Sequence, residues 1–143
     1  MKHHKYWNNQ KYYECQLIAL WNAAIFYGIK IPIRYGHEYI EDCKKASAFT
    51  GGCINTDHVI EKLGLKAIKG ELNKKYILNN LPLEFKIICR HGYHSVLSID
   101  VNLNKEKLLL ANYVENRLYW LSVERLIKIH NRNLEPIKWN KNK

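Results

Sequence analysis

No Cys-x-x-Cys pair occurs among the four cysteines, which sit singly at 15, 43, 53 and 89, so neither a zinc ribbon nor a disulfide-dense scaffold is indicated. No apolar run approaches the length that spans a bilayer. Residues 1–10 are polar and aromatic and contain no apolar signal region. A reducing, cytoplasmic setting without a membrane partner is therefore expected. Acidic residues are also scarce, thirteen against twenty-three lysines and arginines, for a formal net charge of +10. A charge of that size often marks nucleic acid or another anionic surface as partner. Yet no zinc finger, aromatic-basic RNA motif or DNA-reading helix accompanies the lysines, which are scattered except in the tail 130–143. A solvated basic surface is favoured over nucleic-acid binding. Internal repeats, low-complexity tracts and linkers are missing too, so one domain over residues 1–143 is expected.

What is present is material for a core. Hydrophobic residues make up 47% of the chain and aromatic residues 12%, which argues against disorder. From about Glu14 to Tyr27, apolar residues such as Leu17, Ile18, Leu20, Trp21 and Ala24 cover almost every side of a helix, and Gly28 supplies a stop. A helix apolar nearly all round belongs in the interior. A more polar helical stretch follows, roughly Tyr35 to Ala48, and a third ends at Gly64, with Gly51-Gly52 read as the loop between them. Leu65 to Lys69 reads as a short strand, and Asn73 to Asn80 as a short helix stopped before Pro82.

The pattern then changes character. Glu84 to Arg90, His94 to Val101 and Glu106 to Asn112 have strand composition, with a hairpin turn at Asn102 to Lys105. Arg117 to Leu121 reads as a further strand, and Ser122 as the cap of a last helix through Ile129. Helices first and an antiparallel sheet second make an α+β layout.

Thiol chemistry needs a thiolate, a base for its proton, a group that orients the base and donors for the oxyanion. Cys15 opens the buried helix, where the N-terminal partial charge favours thiolate. His94 enters a strand just after Gly92, and Asn112 ends the neighbouring strand, where its amide would orient the His94 ring. His91 competes with His94 across the same loop. Asp100 competes with Asn112 but lies six residues along the strand that carries His94. Cys43, Cys53 and His58 lack a fourth ligand at standard spacing, so no metal is expected, and Cys89 reads as core.

The order Cys, His, Asn is that of papain-like enzymes. Gln10-Lys-Tyr-Tyr-Glu-Cys15 with its apolar helix ending at Gly28 resembles the bacteriocin-leader (double-glycine) group of papain-like cysteine peptidases. Leu81-Pro82 before a strand, Gly92-Tyr-His94 opening the next, Leu108 to Asn112, and Trp120-Leu-Ser122 before the closing helix extend the resemblance over most of the chain. It implies a papain-like fold in which a buried N-terminal catalytic helix and a helical half pack on a C-terminal antiparallel sheet. It also implies Cys15 as nucleophile, His94 as base, Asn112 as orienter and Gln10 as oxyanion donor. Such an enzyme, of a bacterium or a bacterial virus, acts on a peptide or protein and needs no cofactor; the same triad also serves deamidation and acyl transfer. Three departures stand out. Gln16 replaces the glycine that commonly follows the nucleophile, and Asn112-Tyr113 stands where the group usually has Asp-Pro. Gln10 is one residue too close to Cys15, a spacing that Asn9 restores, so the oxyanion donor stays open between the two. The missing glycine and the Gln spacing keep a rival in play, a papain-like binding module with little or no activity, and the net charge keeps a second, a basic nucleic-acid binder.

Overall fold

The computed structural model describes residues 3–8, 15–29, 49–50, 53–54, 60–61, 63–89 and 92–142. Helix α1 spans Cys15–Phe26, close to the expected bounds. It ends where Gly28 takes φ 68°, with the Ile29 N–H reaching the Ala24 carbonyl and the Gly28 N–H the Ile25 carbonyl. That pairing closes the last turn with a residue that carries no Cβ penalty in the left-handed region.

Among the described residues, eight strands accompany it. Two-residue strands β1 (Phe49–Thr50) and β2 (Cys53–Ile54) pair antiparallel on either side of Gly51-Gly52, where the sequence suggests a helix-to-helix loop. The remaining strands are β3 (Leu65–Lys69), β4 (Leu83–Cys89), β5 (Gly92–Asn102), β6 (Lys107–Tyr113), β7 (Arg117–Ser122) and β8 (Ile137–Lys141). They form one antiparallel sheet in the order β3-β8-β4-β5-β6-β7. Two short helices complete the described elements. Helix α2 (Lys74–Leu78) is capped by Asn73, whose side chain accepts from the Tyr76 N–H, and α3 (Val123–Ile129) by Ser122, which accepts from the Arg125 N–H.

Both faces of the sheet are covered. On one, Leu17, Leu20 and Trp21 of α1 pack with Leu97, Ile99, Leu109 and Trp139; on the other, α2 and α3 pack with Phe85, Ile87, Val96, Leu108 and Leu110. This explains why Leu108-Leu109-Leu110 shows no polar alternation, since a strand buried on both sides has no solvent face to mark. The basic tail, to which the sequence pattern assigns no element, contributes β8 to the sheet interior, where Trp139 is almost fully buried. Ile137 and Trp139 alternate with Lys138 and Asn140, the period-2 signal that Lys and Asn content masks. Cys89, read as core, is half-buried at the end of β4. Cys43 and His58 lie outside the described residues, which hold no cluster of three or more His, Cys, Asp or Glu suited to a metal.

Candidate active site

Cys15 is the first residue of α1 and is half-buried. Its backbone N–H lies in the first helical turn, where amides have no intrahelical acceptor, so that amide and the helix dipole both face developing negative charge. His94, near the start of β5, is almost fully buried and shares a side-chain hydrogen bond with the Cys15 thiol. The chain thus brings together two residues 79 positions apart, one from the first helix and one from the sheet.

The ring is held from behind. His94 Nε2–H donates to the main-chain carbonyl of Asn112 at 2.6 Å. A carbonyl only accepts, so the proton belongs on Nε2, and the lone pair of Nδ1 is the one left for the thiol proton. Asn112 therefore meets His94 as the sequence suggests, but through its backbone carbonyl rather than its amide. The reason is local. Asn112 adopts φ 57° where β6 slips out of register with β7, and Asn tolerates the left-handed region better than most residues. Asp100 is not near this task; its carboxylate accepts from His3 Nε2–H at 2.8 Å. Gln10, Asn9 and His91 lie outside the described residues.

The electrostatics favour the ionised pair. Burial pushes the Cys15 thiol up, but the hydrogen bond from His94, the Ser95 main-chain N–H and the charges of His94 and Lys86 outweigh it and hold the thiol below its ordinary value. Burial likewise pushes His94 down; its bonds to Cys15 and to the Asn112 carbonyl, with the thiolate charge, outweigh burial and the opposing Lys86 charge and raise it. Proton transfer from sulfur to ring is favoured from both sides.

A polar network that the sequence reading did not single out lies beneath. Glu84, its side chain fully buried, accepts from Trp139 Nε1–H at 2.9 Å, Gln16 Nε2–H at 3.1 Å and Lys86 Nζ at 2.6 Å. Lys86 also donates to Ser95 Oγ and to Gln16 Oε1. Gln16, the departure from glycine after the nucleophile, is thus a member of the network that holds the Lys86 ammonium, whose charge helps to lower the Cys15 thiol. The available signal was Glu-x-Lys inside an otherwise apolar strand, which puts both charges on one face of β4. A cavity of about 260 Å³, walled by Ile68, Leu134, Pro136 and Ile137, opens onto the same Glu84 and Lys86. Lys86→Met should move the pH dependence of Cys15 alkylation upward, because it removes a cation that favours the thiolate. Iodoacetamide labelling rates at a series of pH values, mapped to Cys15 by mass spectrometry, measure this; an unmoved profile would contradict the assignment.

No protein-family model and no curated protein matches the sequence. Solved structures do. The peptidase domain of Streptococcus ComA, a bifunctional ABC transporter involved in a quorum-sensing pathway, superposes with a TM-score of 0.66 at 15% identity, covering 94% of this chain and 96% of that one. The N-terminal peptidase C39-like domain of a toxin-secretion ATP-binding protein from Vibrio parahaemolyticus gives 0.61, also at 15% identity, with 94% and 100% covered. The chain has the papain-like peptidase fold. This agrees with the resemblance that residues 10–28 and 81–129 carry in sequence, and it puts the Cys15–His94 contact in the context of a peptidase scaffold. In that papain-like frame His130, a second buried histidine, is structural. Its Nδ1 accepts the Lys86 N–H at 3.1 Å and its Nε2–H donates to the Leu134 carbonyl at 3.0 Å. Burial holds it below the usual histidine value, so it stays neutral as a tie between β4 and the segment before β8.

Proposed function

We propose that this protein is a cysteine peptidase that cleaves a peptide bond through Cys15, His94 and the main-chain carbonyl of Asn112. The observation that carries the reading is the hydrogen bond between the Cys15 thiol at the mouth of α1 and the buried His94 ring. In the reaction, Cys15 transfers its proton to Nδ1 of His94 and its sulfur attacks the substrate carbonyl. The Cys15 backbone N–H, with Gln10 or Asn9, receives the oxyanion. The imidazolium then returns the proton to the leaving amine, and water, deprotonated by the same ring, releases the acyl group and restores the thiol. Asn112 contributes by fixing the tautomer. The cavity beside Lys86, with its apolar wall, accepts a substrate side chain.

The test is a digest of a peptide mixture with product identification by mass spectrometry, run on the native chain and on Cys15→Ala. Native protein should yield new termini, and Cys15→Ala none, with an unchanged circular-dichroism spectrum. Products generated equally by both would overturn the reading. Intact mass measurement during turnover also separates hydrolysis from deamidation, since a deamidated substrate gains about 1 Da without chain scission.

A further inference from the structure

The segment 3–8 runs along the molecule as a strap fastened at several points. His3 donates to Asp100 on β5, and Tyr6 is buried in the core against α1. Both main-chain groups of Trp7 are taken by the fully buried Asn22 of α1, N–H to Oδ1 at 2.8 Å and Nδ2–H to carbonyl at 3.0 Å. The Trp7 ring meets Trp21 edge-on, with centroids 5.7 Å apart. What the strap delivers at its far end is Asn8, whose Oδ1 accepts the Asn112 main-chain N–H at 2.7 Å.

That amide and the carbonyl that holds His94 flank the same Cα. Asn112 sits at φ 57°, at the irregularity where β6 leaves register with β7, so the regular ladder does not by itself set where its carbonyl points. Pinning the N–H from one side limits rotation about φ, one of the two dihedrals that place the carbonyl, and the bond to His94 holds the other. We infer that Asn8 is a positioning residue for the thiol–imidazole pair: it fixes the Asn112 backbone so that its carbonyl holds His94 in the tautomer and orientation that face Cys15. The relay runs Asn8 side chain, Asn112 backbone, His94 ring, Cys15 sulfur. It makes the strap part of the site although none of its described residues hydrogen-bonds to Cys15 or His94.

The consequence for rate rests on the peptidase reading, but the consequence for the ring does not, and the experiment separates them. Protein carrying 15N-labelled histidine reports the His94 tautomer by NMR, and kcat and KM are measured beside it with a peptide cleaved by the native chain. Asn8→Leu removes the acceptor at similar size, and Asn8→Ala removes it without adding bulk should the first not fold. Asn8→Asp keeps an acceptor at the same reach, and His3→Ala loosens the strap at its other end only. Expected results, read at a pH above the titration of the imidazolium where the ring carries one proton, are a native ring with that proton fixed on Nε2, a mixed tautomer in Asn8→Leu and Asn8→Ala, and the native tautomer in Asn8→Asp and His3→Ala. Turnover should follow, with kcat down at least about tenfold in the first two variants, KM within about twofold, and kcat largely restored in Asn8→Asp. A native tautomer in folded Asn8→Leu or Asn8→Ala would overturn the inference, as would an equal loss in His3→Ala. A tautomer that responds to Asn8 in a chain that cleaves nothing would support the inference and remove the peptidase reading alone.

Discussion

His94→Ala should lose peptide cleavage by a factor on the order of 10²–10⁴, the range that a positioned general acid–base supplies. The size follows from what the ring does twice in the cycle. It takes the thiol proton, and it returns a proton to an amine that otherwise leaves as an unstable anion. Removing it also leaves the burial of Cys15 opposed by the Ser95 amide, Lys86 and the helix N-terminus without the ring, so the thiol rises and the thiolate fraction at neutral pH falls. Two readouts should therefore fall together, turnover of peptide and the alkylation rate of Cys15 at pH 7. Loss of turnover with native alkylation would mean that His94 serves the leaving group without activating sulfur. Preservation of both would remove His94 from the mechanism.

Glu84→Leu should be the most destabilising single change at the network. The carboxylate is wholly buried and receives three donors, from Trp139, Gln16 and Lys86. Deleting one partner of a buried ion pair strands the other, at about 3–5 kcal/mol. With about 2–4 °C of melting temperature per kcal/mol in a domain of this size class, the midpoint should fall by roughly 6–20 °C. Lys86→Met alone should also destabilise the chain, though less, because its side chain is a quarter exposed. The double variant should recover most of the loss, since replacing a buried pair by apolar groups of similar volume is close to neutral. Chemical denaturation of all four proteins measures the coupling. Additive losses would show that the two charges do not depend on one another.

The sequence carried the fold unevenly, for physical reasons. Strand β3, the Ser122 cap of α3 and the stop of α1 at Gly28 are local decisions made by turn and cap chemistry, and they fall where composition puts them. Strand β8 escaped because its inward residues, Ile137 and Trp139, are only two and sit among lysines and asparagines; its burial is decided by pairing with β3 and β4, which is non-local information. At the site, Cys15 and His94 were legible by residue type and order. The Asn112 contact was legible by position, yet its atom was not, because nothing in residue identity says that a left-handed backbone will offer a carbonyl in place of an amide. Glu84 and Lys86 were part of a run read only as a strand, and they pair over a buried carboxylate because α1 brings Gln16 to that face as a polar complement. Asn8 was invisible for the same reason as β8, since its partner is 104 residues away.

Ultraviolet titration of thiolate at 240 nm, taken as the difference between the native chain and Cys15→Ser, tests the central claim most directly. If an imidazole and a nearby ammonium charge stabilise the sulfur anion at a helix mouth, the difference spectrum shows thiolate forming below the range of an ordinary thiol, about 8.5, and His94→Ala moves that transition upward. A single transition at or above the ordinary value, unchanged by His94→Ala, would contradict it.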